Sequence, residues 1–109
     1  VPTLIFDEVD AGVSGRAAQK VARKLWAVSK GRQVLCVTHL PQIAAMADAE
    51  FTVEKRVEHE RTYTSVLHLD DSGRRQELAR LIGGSMITET TLAGAAELLR
   101  LADEAKRGI

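Results

Sequence analysis

A short apolar run, Leu4-Ile5-Phe6, stops abruptly at two adjacent carboxylates, Asp7 and Glu8. A third acid, Asp10, and a glycine-containing stretch through Gly15 follow. A run this short, bounded by Pro2 and by acids, reads as a strand buried on both faces. Charge at the tip of a buried strand is costly unless something compensates it. A cation is the simplest compensation, and a metal ion together with a phosphate supplies one.

The next segments say where that tip must lie. Gly12 and Gly15 fall in a loop and can take positive φ. Ser14 is expected to cap the following helix. From Arg16 to Lys30, the residues Ala18, Val21, Ala22, Leu25, Trp26 and Val28 make one apolar stripe at helical period, with Gly31 closing the helix. Val34-Leu-Cys-Val-Thr38 then reads as a second short buried strand, ending at His39. Strand, amphipathic helix, strand is a βαβ unit, so the two strands are expected to be parallel with a right-handed crossover. Parallel strands bring their C-terminal ends to one edge. Asp7, Glu8 and His39 are therefore expected on a common rim, where open α/β sheets bind ligands.

The rest of the chain reads as supporting structure. Pro41 starts a short helix expected to reach Ala47, with Met46 as core filler. Phe51 to Val57 alternates apolar and polar, Tyr63 to Leu69 is β-rich, and the segment between them is wholly polar, which predicts a hairpin with an exposed tip. His59 and His68 read as ordinary surface or strand residues. Asp70-Asp-Ser-Gly73 reads as a turn, Arg75 to Ile82 as a helix closed by Gly83-Gly84, and Thr88 as the cap of a last helix reaching Arg107.

Composition narrows the functional classes. Fifteen basic and fifteen acidic side chains cancel, so no global field draws the chain to nucleic acid or a membrane. Residues 14–33 nevertheless hold Arg16, Lys20, Arg23, Lys24, Lys30 and Arg32 and no acid. That stretch reads either as a solvated helix face or as a surface for DNA or an acidic partner. A hydrophobic fraction of 45% supports a core, and with 4% aromatic residues Leu, Val, Ile and Ala must build it. The lone Cys36 fits a reducing compartment. With no membrane-length apolar stretch and no leader pattern, a cytoplasmic location and no membrane partner are expected. A start inside a strand, without methionine, is expected of a piece of a longer protein.

An apolar strand ending in Asp-Glu is the Walker B pattern of P-loop NTPases, in which the first acid serves Mg²⁺ and the second orients or deprotonates the attacking water. Alone the pattern is weak, because many buried strands end in an acid that caps a turn. Here Asp10 and Gly12 follow at the spacing of the D-loop of ABC-type ATPases, and Thr38-His39 ends the next parallel strand as in their switch, or H-loop. Over nearly the whole chain, Phe6-Asp-Glu-Val-Asp-Ala-Gly-Val-Ser-Gly15, Val37-Thr-His-Leu-Pro-Gln-Ile-Ala44 and Arg75-Gln-Glu-Leu-Ala-Arg-Leu-Ile-Gly-Gly-Ser85 together resemble the C-terminal end of the RecN family of bacterial DNA repair proteins, SMC-like members of the ABC ATPases. Val9 stands where ABC transporters usually have proline, which favours the SMC side.

The resemblance implies an α/β fold, the C-terminal half of a P-loop (ABC/SMC-type) ATPase head with a parallel βαβ core, a β-hairpin and C-terminal helices, over residues 1–109. It implies ATP and Mg²⁺ as cofactors, with Asp7 serving the metal, Glu8 as catalytic carboxylate, His39 as γ-phosphate sensor and Asp10 in a dimer-facing loop. Gly12 and Ser14 match the family loop and join Asp7 and Asp10 as implied cofactor-binding positions. The implied partners are the N-terminal half of the same head, carrying Walker A, then a second protomer in an ATP-sandwiched homodimer, and DNA; the implied location is cytoplasmic and nucleoid-associated. Neither Gly-x-x-x-x-Gly-Lys-Ser/Thr nor Leu-Ser-Gly-Gly occurs in these residues. The piece is therefore expected to be inactive alone and to act as an ATPase only within the full-length protein. Two other readings stand beside this one: a non-catalytic DNA- or partner-binding module using basic helix 16–32, and a metal phosphoesterase using Asp7, Glu8, Asp10 and His39. Two-metal enzymes generally gather more acids and histidines than that.

Overall fold

The structure, a computed structural model, describes residues 2–7 and 15–108. The element order is β1 (Thr3–Asp7), α1 (Arg16–Val28), β2 (Gln33–Val37), α2 (Pro41–Ala45), β3 (Phe51–Glu58), β4 (Arg61–His68), α3 (Asp71–Gly83) and α4 (Glu89–Gly108). β1 and β2 pair in parallel, from Thr3 opposite Gln33 to Asp7 opposite Val37, as the βαβ reading requires. β3 and β4 form a separate antiparallel pair.

The strands are not buried on both faces, as the apolar runs suggest. Leu4, Phe6, Val34 and Cys36 point to the helical side and are half-buried. On the other face, Ile5 is 71% exposed, Leu35 48% and Val37 61%. The reason is that the described chain covers only one face of this sheet. Cys36 packs against the helical core, and Ile5, Leu35 and Val37 meet no second layer.

The core lies between helices, and alanine dominates it. Ala22, Ala44, Ala45, Ala79, Ala95 and Ala102 are buried with Ile43, Met46 and Leu78, and Leu78 is fully enclosed. The composition points to larger aliphatic residues as well; Val21, Leu25, Leu92, Leu98 and Leu99 instead flank the alanines, half-buried. Met46 is core filler, as the sequence indicates.

Several boundaries move for identifiable reasons. α1 stops at Val28, with Gly31 at φ 77° in the turn that follows. Its N-cap is Gly15, without a side-chain cap bond; Ser14, expected there, lies outside the described residues. The expected turn Asp70-Asp-Ser-Gly73 is instead the start of α3. The Gly73 N–H donates to Asp70 Oδ1 at 2.7 Å, so Asp70 is the N-cap. Thr88 caps α4 as expected, accepting from the Thr91 N–H at 3.1 Å, while Thr91 Oγ1 accepts from the Thr88 N–H at 2.9 Å. Among the described residues, no helix is long and apolar enough to cross a membrane.

The hairpin closes tightly. Glu58 pairs with Arg61, which leaves a two-residue turn of His59 (φ 50°) and Glu60 (φ 65°). Such turns need positive φ at both positions and favour Asn-Gly. Phe51 and His68, paired at the hairpin base, stack with ring centroids 4.9 Å apart. Left-handed backbone costs a side-chain-bearing residue on the order of 1 kcal/mol. We therefore expect Glu60→Gly to stabilise the hairpin by about 0.5–1 kcal/mol, read as slower amide hydrogen exchange across β3 and β4 in the intact protein. Unchanged or faster exchange would show that the turn is not strained.

Candidate functional site

The parallel register builds the candidate site. Asp7 ends β1 opposite Val37, the last residue of β2. Thr38 and His39 continue from Val37, so the Asp7 carboxylate and the Thr38-His39 turn lie at the same end of the sheet. Asp7 and His39 are both exposed. Local chemistry shapes the turn. Thr38 Oγ1 accepts from the Leu40 N–H at 3.1 Å, which bends the chain out of the strand. Pro41 holds Leu40 in extended backbone, φ −93° and ψ 124°, and then starts α2 at the first helical position. His39 is thus held between a strand end and a helix cap.

Four of the sequence-derived site residues, Glu8, Asp10, Gly12 and Ser14, lie outside the described residues. The other two, Asp7 and His39, lie at the same end of the β1–β2 sheet. Among the described residues, no three His, Cys, Asp or Glu side chains gather as a metal site. The described part of the rim offers one carboxylate, that of Asp7.

Two charged clusters hold the corner beneath this rim, and sequence reasoning missed both. Glu50 is buried between α2 and β3, and Arg74 reaches it from α3, with Nε donating to Oε1 at 3.2 Å. Arg74 Nη2 also donates to the carbonyls of Ala44 (3.2 Å), Ala45 (3.4 Å) and Ala47 (3.0 Å), at and just past the end of α2. Burial pushes the Glu50 carboxyl above its ordinary range, and the Arg74 guanidinium opposes that rise. Removing one partner of such a buried pair typically costs about 3–5 kcal/mol, because the other charge is stranded. A signal existed in the sequence: Arg74 lies four residues before Leu78, on the apolar side of α3.

In the second cluster, Asp48 Oδ1 accepts from Lys106 Nζ at 3.1 Å and from Trp26 Nε1 at 3.2 Å, joining α4 to α1. Lys106 also donates to the Ala47 carbonyl at 3.2 Å. Burial alone would raise the Asp48 carboxyl, but the bonds from Lys106 and Trp26 prevail and hold it below the usual aspartate range. Arg16, Lys20, Arg23, Lys24, Lys30 and Arg32 are all exposed, and Lys30 Nζ sits 4.7 Å over the Trp26 ring.

The two carboxylates respond to acid in opposite directions. A depressed carboxyl gives stability above its unfolded pKa and loses it as pH falls through the folded value. A raised one favours the fold when protonated, below its unfolded pKa, and that gain disappears as pH rises through the folded value. We expect Asp48→Asn to flatten the increase in α4 amide exchange as pH falls below about 4, while Glu50→Gln leaves that increase in place. An acid profile of Asp48→Asn identical to the parent would remove Asp48 from the account.

No family model matches the chain. It is 49% identical over 106 residues to the DNA repair protein RecN of Bacillus subtilis (strain 168), a match that covers 97% of the chain and 18% of that relative. It is 52% identical over 98 residues to RecN of Vibrio cholerae serotype O1, covering 90% of the chain and 18% of the relative. RecN of Treponema pallidum is 47% identical over 108 residues, which is 99% of the chain and 19% of that protein. The chain thus spans under a fifth of the length of the curated relatives that it matches, at their C-terminal end. Among solved structures, an SMC ATPase studied for ATP-driven dimerization and DNA-stimulated activation superposes with a TM-score of 0.65. It covers 79% of this chain and 51% of its own, at 22% identity, so this likeness speaks to the fold: that of a P-loop ATPase head.

Proposed function

We propose that this chain, a homologue of the C-terminal part of RecN, supplies the Walker B, D-loop and histidine-loop half of an ATP site in an SMC-like DNA repair ATPase. The observation that carries the reading is the parallel register that sets Asp7 and the Thr38-His39 turn at one end of the β1–β2 sheet. The reading is supported by the names of the relatives and by the fold of the SMC neighbour. Asp7 would hold Mg²⁺ through its water shell. Bound there, the ion would offset negative charge on the phosphates. Glu8 would orient the attacking water and accept its proton. His39, exposed beside the strand end, would donate a hydrogen bond to the terminal phosphate and register its loss. Asp10 would lie in a loop that faces a second protomer, and Gly12 and Ser14 of the same loop would contribute to holding the nucleotide.

The remaining parts of the site belong to the longer protein. The phosphate-cradling Walker A loop would come from the N-terminal half of the same head, and the signature loop from a second protomer. The exposed face of Ile5, Leu35 and Val37 suits the first of these, since an apolar sheet face gains by being covered. DNA double-strand break repair and recombination, driven by the ATP cycle, is the activity proposed for the whole.

A second reading rests on a separate observation, the six exposed basic side chains of residues 16–32, which would suit DNA or an acidic partner. The two readings make different demands. In the full-length protein, Glu8→Gln should leave ATP binding intact and slow turnover by roughly a hundredfold or more. Normal turnover would exclude Glu8 as the catalytic carboxylate. Arg23→Glu with Lys24→Glu should weaken DNA binding and shallow its salt dependence if α1 faces DNA. An unchanged affinity and salt slope would leave these side chains as a solvated face.

A further inference from the structure

α2 is too short to hold itself in place. Its five residues, Pro41–Ala45, extend about 7–8 Å and form little more than one turn. Helices of this length are not stable on their own backbone bonds. Past its end only the Met46 and Ala47 N–H groups reach back, to the carbonyls of Ile43 and Ala44 at 3.2 Å each, and Arg74 adds its own bonds at this end. One guanidinium nitrogen donates to the carbonyls of Ala44, Ala45 and Ala47, while Nε is anchored on the buried Glu50. The cation sits at the negative end of the helix, where charge and hydrogen bonding act together. A planar guanidinium can serve both directions at once, whereas a lysine ammonium is a single point of charge. The side chain is only 16% exposed, so the grip is shielded from competing water. At the other end of the same helix, Leu40 is the N-cap and His39 immediately precedes it.

We propose that Arg74 is a positioning residue for His39, setting the placement of α2 and, through it, of the Thr38–Leu40 turn. The inference rests on the nucleotide-site reading, in which the placement of His39 affects a rate. A purely structural Arg74 would instead hold the α2–α3 corner with no particular link to the histidine.

A double-mutant cycle on ATP turnover by the full-length protein separates these. Arg74→Lys should lower kcat by about fivefold or more and leave KM for ATP and ADP affinity within about twofold. In a His39→Ala background the same substitution should change kcat by less than about twofold, because coupled residues are not additive. Should Arg74→Lys not be recovered folded, Glu50→Gln, which loosens the guanidinium from its anchor, runs the same cycle with the same expected pattern. An equal loss in both backgrounds, or none in either, overturns the positioning role while His39 keeps its own. Full turnover by His39→Ala alone would instead overturn the sensor reading of His39, and this inference with it.

Discussion

The parallel ladder between β1 and β2 is the constraint on which the rest depends. Parallel neighbours cannot be joined by a tight turn, so the chain must cross over, and α1 is that crossover. The crossover returns β2 in register with β1, residue for residue from Thr3 to Asp7. The edge that receives Asp7 thereby receives the end of β2 as well. Every chemical proposal for this chain depends on that shared edge. A slip of one residue would turn each strand's side chains to the opposite face.

The two faces of the same sheet differ. Its inner face packs through Cys36 on a helical core whose buried residues are mostly alanine. Its outer face, with Ile5, Leu35 and Val37, is open. The hairpin repeats this pattern, with Phe51, Val53 and Val66 exposed. Apolar surface on this scale marks faces that gain by being covered.

Between sheet and helices, charge does what the small core does not. Arg74 with Glu50, and Asp48 with Lys106 and Trp26, tie the α2–β3 corner to α3, α4 and α1. Arg74 with Glu50 is a buried pair, which contributes little net stability when compared with a well-packed apolar alternative, and the pair of the exposed Asp48 is screened by water. Their consequence here is placement, since the end of α2 is held by Arg74 from one side and the adjoining Ala47 carbonyl also accepts from Lys106. The outer face of α4 is different in kind. Arg100 reaches Glu97 and Glu104 at 2.6 and 2.7 Å in exposed pairs, where water screens the charges and little stability follows.

Much of this architecture was legible because it depends on periodicity. The alternation of β3, the helical stripe of α1 and the two short apolar runs needed no partner to be read, and neither did Pro41 as the start of α2. Asp70-Asp-Ser-Gly73 was misread because turn and N-cap compositions overlap; only the bond from Gly73 to Asp70 separates them. Arg74 and Glu50 were missed because charged residues are ordinarily exposed. Order along the chain thus determined the elements, their parallel sense and the rim that joins Asp7 to His39, since these follow from local pattern and from the geometry of a crossover. Tertiary structure alone decided that alanines form the core, that one sheet face stays open and that Arg74 turns inward to grip α2, because each depends on what lies opposite in space.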